Sequence, residues 1–164
     1  MKSGKRFEDN IRKSVNVFFY RFRDGTSSWD KGKSRFQQTN IADCEIFDGD
    51  NLFILELKST NEHSLPFNNI KKHQIQDLTR YSIYKNVICG FLINYEKYDE
   101  CYFIEISLFN DFLTLNDRKS IPIEFARENG VKIPLKRLRT NKVYELGELY
   151  EFGRSKYGKR PYQE

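Results

Sequence analysis

The chain has 164 residues, 38% of them hydrophobic and 31% charged, with 14 Phe, 10 Tyr, one Trp and a formal net charge of +5. A chain of that length buries about 70% of the surface it exposes when unfolded, and its aromatic residues supply a core, so global disorder is excluded. Apolar runs such as Val87–Ile93 are far too short to cross a membrane, and the opening MKSGKRFEDN is charged with no apolar stretch, so neither a membrane span nor a secretion signal is expected.

Residues 3–15 read as a helix, with Ser3 as a candidate N-cap and Phe7, Ile11 and Val15 recurring on one face. Val17–Arg23 alternates and is aromatic, which predicts a strand. Residues 24–38, rich in Gly, Ser and charge, predict a mobile loop. Strands are expected over Asn40–Phe47 and Leu52–Lys58, around the sequence D-G-D-N. A polar loop follows over 59–69, then a helix over 69–84 with Ile70, Ile75, Leu78 and Ile83 inward. Two more strands are expected over Asn86–Tyr95 and Cys101–Leu108, then short helices or turns over 108–116 and 120–130. A basic stretch covers 131–142, and 152–164 reads as a frayed basic tail. With no repeat and no linker, this order predicts one domain over 1–151, α/β in class, with a central mixed β-sheet flanked by helices.

Cys44, Cys89 and Cys101 are odd in number and lack C-x-x-C spacing, and only His63 and His73 accompany them. A Cys/His zinc site is therefore not expected, and a reduced, cytoplasmic setting is. Charge is unevenly spread. Residues 1–35 hold ten Lys/Arg against four Asp/Glu, residues 36–70 one against six, and residues 71–164 seventeen against thirteen. A polyanion is drawn to such a surface and repelled by its acidic centre, unless that centre holds cations.

The acidic centre is the hairpin IADCEIFDGDNLFILELK. A two-residue Gly49-Asp50 turn, with Gly at positive φ, sets Asp43 directly opposite Glu56. Turns at Asp48-Gly49 or Asp50-Asn51 change the partner but not the face. One face then carries Ala42, Cys44, Ile46, Phe53, Leu55 and Leu57, a core face; the other carries Asp43, Glu45, Ile54, Glu56 and Lys58. Facing carboxylates repel by a few tenths to ~1 kcal/mol, and a divalent cation removes that repulsion. Mg²⁺ takes one or two carboxylates and keeps waters and phosphate oxygens. An ordinary exposed strand face with a carboxylate–lysine pair is the alternative.

Asp43, twelve residues, then Glu56-Leu57-Lys58 resembles the D…(D/E)-x-K signature of the PD-(D/E)xK nuclease superfamily. G-K-R-F-E-D-N-I at residues 4–11 looks like the Glu-bearing helix of RecU and archaeal Hjc resolvases. K-S-T (58–60), L-P-F (65–67) and H-Q-I (73–75) are similar to the exit, turn and helix that follow the active-site strand in RecU. The resemblance covers residues 4–93. Ala42 stands where the superfamily often has Pro, and no long stalk insertion is evident in 24–38, which suits a compact phage-type relative. The resemblance implies a restriction-endonuclease-like core and a Mg²⁺-dependent homodimeric endonuclease, with Mn²⁺ as a substitute, acting on four-way DNA junctions. Two other readings stand beside it: a restriction or repair nuclease of the same superfamily, and a non-catalytic nucleic-acid-binding module.

On this reading Asp43 and Glu56 hold the metal and Lys58 stabilises charge or aligns water. Glu8 is a third candidate ligand, or else a first-turn glutamate favoured by the helix dipole. Gln74 orients Lys58 or holds a water, or is a surface residue; His73 supports structure or meets a phosphate. His63 reads as solvated, Asp48 and Asp50 as turn residues, and Glu45 as a neighbour of the site. Trp29 stacks on a base or folds onto the core. Arg21, Arg23, Lys31, Lys33 and Arg35, then Lys71 and Lys72, then Lys136, Arg137 and Arg139 are three basic groups that would track a DNA backbone.

Overall fold

The computed structural model describes residues 3–22 and 40–158; the loop expected over 24–38 and the end of the expected tail lie outside them. In chain order the elements are α1 (Ser3–Ser14), β1 (Phe18–Arg21), β2 (Cys44–Phe47), β3 (Leu52–Thr60), β4 (Ser64–Pro66), α2 (Lys72–Tyr81), β5 (Val87–Tyr95), β6 (Glu100–Glu105), α3 (Ile106–Leu115), β7 (Ser120–Pro122), α4 (Ile123–Asn129), β8 (Val131–Ile133), β9 (Leu135–Arg137), β10 (Lys142–Tyr144) and α5 (Gly147–Tyr157). One-turn 3-10 segments, Phe67–Asn69 and Glu96–Tyr98, precede α2 and β6.

A six-stranded mixed sheet in the order β1-β2-β3-β5-β6-β8 forms the centre, as expected. β3 and β5 run parallel from Leu52↔Val87 to Thr60↔Tyr95; every other pair in this sheet is antiparallel. A parallel pair needs a crossover, and α2 lies within it.

Both faces of the sheet are buried. Ile54, Cys89, Phe91, Ile93 and Ile104 pack beneath α2, α3 and α4. Cys44, Ile46, Phe53, Leu55, Leu57, Ile88 and Leu92 pack beneath α1, α5 and Tyr144 of β10. This corrects the expected division of faces in one detail. Ala42 sits in the first cluster, not with Cys44, because residues 41–43 bend and strict alternation starts at Cys44. All three cysteines are free and buried, and burial raises their thiol pKa values, so they pack rather than react. No described helix is long and apolar enough to cross a membrane.

Several boundaries differ from expectation for physical reasons. The strand expected to reach Leu108 stops at Glu105; Ile106, Phe109 and Phe112 recur every three residues and bury one helical face. The helix expected over 69–84 is shorter, since Ile70 precedes it and Ile83 lies beyond it, 76% exposed. The polar loop over 59–69 contains β4, which pairs with β7. Residues 152–157, expected to fray, continue α5, whose Gly153 lies so close to β3 that a Cβ there would stand 2.8 Å from the Phe53 ring. Ser3 caps no helix; its hydroxyl meets Ser59 and donates to Glu96.

Candidate active site

The hairpin takes the expected register. Cys44 faces Leu55, Ile46 faces Phe53, and the turn closes with Asp48 N–H donating to Asn51 O at 3.2 Å. Gly49 has φ +101°, a conformation a side chain would strain. Asp48 makes the turn, as expected: its Oδ1 accepts the N–H groups of Asp50 and Asn51.

Asp43 stands one residue before β2, so it is not paired directly opposite Glu56 as expected. Its N–H donates to Leu55 O at 3.1 Å and its carbonyl accepts from Phe22 N–H at 3.0 Å, so its backbone joins β1 to β3. Its Oδ2 accepts the Leu57 N–H at 2.7 Å. The side chain thus replaces the ladder bond that β2, just begun, does not supply. That bond holds the carboxylate beside β3, near enough to Glu56 for its charge to act on it.

Glu56 is 2% exposed. It forms a 2.9 Å ion pair with Lys58, two residues on and on the same face. Gln74, in the first turn of α2, donates from Nε2 to Glu56 Oε1. Its Oε1 accepts from Lys71 N–H at 2.9 Å and from Lys58 Nζ at 3.4 Å. One amide therefore caps the helix and clamps both charged residues of β3. Burial, and then the Asp43 charge, push the Glu56 carboxyl up to about 7, against the pull of Lys58.

The raised value has a consequence for stability. The fold favours protonated Glu56, so its contribution is full below the unfolded value of 4.5 and is lost as pH rises towards about 7. Metal-free protein is expected to lose on the order of 2 kcal/mol from this source, and Glu56→Gln to remove the loss. Urea midpoints in EDTA at pH 5 and pH 8 test this; equal pH dependence in wild type and variant would refute it.

Two neighbouring carboxylates, buried Glu56 and half-buried Asp43, form a hard-oxygen donor set that fits Mg²⁺. Glu8 does not join them in one cluster. It ion-pairs with Arg21 at 2.5 Å, and among the described residues no group of three or more His, Cys, Asp and Glu could hold a metal ion. Glu45 lies in the ladder opposite Tyr20 and Ile54. His73 is half-buried on α2. His63 is exposed as expected, yet bonded to Tyr98 and Glu124. Arg23, Trp29, Lys31, Lys33 and Arg35 lie outside the described residues. Lys71 and Lys72 are exposed at the start of α2, beside Gln74. Lys136, Arg137 and Arg139 are exposed on the β9–β10 hairpin, where Arg137 pairs with Asp99 at 2.8 Å.

Sequence reasoning singled out neither Arg6 nor Asn10. Both line a cavity of about 270 Å³ between α1 and the β9–β10 hairpin. Their i, i+4 spacing was the one available signal, and the cavity itself arises from segments some 130 positions apart in the chain.

The family model for Recombination protein U, RecU, matches residues 12–144. The SPbeta prophage-derived uncharacterized protein YotM of Bacillus subtilis strain 168 is 34% identical over 167 residues, covering 89% of this chain and 84% of that protein. The Holliday junction resolvase RecU of Streptococcus pyogenes serotype M5 is 26% identical over 100 residues, which are 60% of this chain and 49% of the resolvase. That of Streptococcus oralis is 26% identical over 102 residues, 61% of this chain and 51% of the resolvase. The chain spans about half the length of the curated resolvases it matches. The family match runs from α1 through β10 and takes in the carboxylate hairpin, Lys58 and Gln74, and on it the chain belongs to the RecU family.

Proposed function

We propose that this protein is a Mg²⁺-dependent, structure-selective DNA endonuclease that resolves four-way junctions by paired symmetric nicks, acting as a homodimer in the cytoplasm. The observation that supports it most is the Asp43–Glu56 carboxylate pair with Lys58 at 2.9 Å from Glu56, in a chain whose curated relatives include Holliday junction resolvases.

Asp43 and Glu56 would hold the ion. When bound, Mg²⁺ or Mn²⁺ lowers the pKa of a coordinated water and neutralises charge on the scissile phosphate. Lys58 stabilises the charge that develops there, and Gln74 keeps Lys58 and Glu56 in orientation. Glu8 stays a candidate ligand through exchange of its Arg21 partner. Arg21, Lys71, Lys72, Lys136, Arg137 and Arg139, with Arg23, Lys31, Lys33 and Arg35, contact backbone phosphates and read shape rather than sequence. A junction presents two equivalent strands, and an isologous dimer supplies one site for each.

The test is cleavage of a synthetic four-way junction and of a linear duplex, each with and without Mg²⁺, beside sedimentation of the protein. Cleavage of the junction over the duplex, only with the metal, by a particle of twice the chain mass is the expected result. Equal cleavage of both substrates would favour a restriction or repair nuclease, and no cleavage at all a binding module.

A further inference from the structure

We propose that the cavity between α1 and the β9–β10 hairpin is a phosphate subsite that seats one phosphodiester of a DNA strand. This deepens the nuclease reading and rests on it.

Among the described residues, the walls carry four cations, Arg6, Arg137, Arg139 and Lys142, against one acid, Glu96. The cations divide into two kinds. Lys142 is spoken for, pairing with Glu96 at 2.9 Å and Asp99 at 2.8 Å, and Arg137 pairs with Asp99. These pairs fasten the hairpin to the turn before β6. Arg6 and Arg139, both exposed, form no ion pair with any described residue. Two guanidiniums of opposite walls therefore face a shared space with their charge unspent.

The acid does not oppose an incoming anion. Glu96 accepts from Lys142, Ser59 at 3.1 Å and Ser3 at 3.2 Å. Burial raises its pKa, but those hydrogen bonds outweigh burial and the net shift is downward. Its charge is thus matched inside the wall.

Asn10 is the second, independent observation. It is 3% exposed and lines the cavity, yet its side-chain amide makes no hydrogen bond with a described residue. Its amide is open to the cavity without a protein partner, and an anion seated between the arginines would accept its N–H. Guanidinium forks and an amide donor match phosphate oxygens. About 270 Å³ lies below the range of pockets that enclose a drug-sized ligand, so the space suits a phosphate and not a whole nucleotide.

α1 carries Arg6 and Asn10 at this cavity and Glu8 at the Arg21 ion pair, so one helix spans both places. A strand lying along α1 would be gripped at the cavity and presented to the carboxylate pair.

The experiment measures binding of a four-way junction and a duplex in EDTA, over a series of salt concentrations. The proteins are wild type, Arg6→Gln/Arg139→Gln, Asn10→Leu, and Lys85→Gln/Lys119→Gln, which removes the same two charges outside the cavity lining, as a control for net charge. The double variant is expected to bind about tenfold more weakly at low salt, with a salt slope shallower by about 0.9; the control should change less. Asn10→Leu should weaken binding with its slope unchanged, because it removes a donor and no charge. An unchanged slope in the double variant, or an equal change in the control, would overturn the subsite while leaving the nuclease reading in place. Wild type that binds neither DNA would overturn both. Inorganic phosphate supplies the last arm: if it stabilises wild type against heat but not the double variant, while DNA slopes agree, the site takes free phosphate and the strand assignment is wrong.

Discussion

Asp43→Asn and Glu56→Gln are each expected to lower junction cleavage in Mg²⁺ by about 10³-fold, and to leave junction binding in EDTA within about twofold. The reason is a division of labour between charges. The carboxylates contribute repulsion towards DNA, and the arginines and lysines contribute attraction, so removing one carboxylate harms only the chemistry. Neither change disturbs the fold. Asn at position 43 still presents an oxygen to the Leu57 N–H, and Gln at position 56 still presents one to Gln74 Nε2. Asp43→Asn removes the charge that, after burial, does most to raise Glu56, and should not weaken the metal-free protein. Single-turnover cleavage beside a binding titration decides the matter, and near-normal cleavage by either variant would remove the pair from the site.

Gly90→Ala is expected to be the most damaging single methyl in the sheet. Gly90 lies mid-way along β5, opposite Glu105 of β6. A Cβ there would run into the Ile104 carbonyl oxygen and stand 2.6 Å from the Phe103 ring. A backbone carbonyl inside a ladder cannot rotate away, so the strands must part. The expected cost is about 3 kcal/mol or more. At a typical slope this lowers the urea midpoint by about 1–2 M. A midpoint within experimental error of wild type would show that β6 yields more easily than its hydrogen bonding suggests.

The hairpin was legible because two local signals agreed: period-two alternation on both arms and a Gly that tolerates positive φ between them. Cys44 opposite Leu55 followed from that register, but Asp43 directly opposite Glu56 did not hold: pairing starts at Cys44, and the Asp43 N–H meets Leu55 O. The Asp43 bond to the Leu57 N–H, and Ala42 crossing to the other core, both depend on where β2 begins. Ile106-Ser107-Leu108 alternates like a strand, and only the longer spacing to Phe109 and Phe112 marks it as helix. α5 was hidden by its composition: GELYEFGRSKY has two glycines and mixed charge, and its stability comes from Leu149, Tyr150 and Gly153 against the sheet. Gln74 was visible as part of a family motif, whereas its three-way hydrogen bonding needs the crossover in place. The cavity at Arg6 and Asn10 needs both ends of the chain and has no local signature.

The parallel pairing of β3 with β5 also sets the order in which this chain can be built. β2 and β3 meet through a four-residue turn, so Asp43 and Glu56 can find each other early and at small entropic cost. β5 can join β3 only after residues 61–86 have closed their loop, and that loop contains α2 and Gln74. Chain entropy is then lost before the nine paired residues return any contact. The hairpin therefore matures ahead of its clamp, and refolding belongs on the millisecond-to-second scale of non-local topologies rather than the microsecond scale of helical bundles. Substitutions in the crossover would slow the approach to the native state, whereas those in the turn at Gly49 would act before that barrier is met.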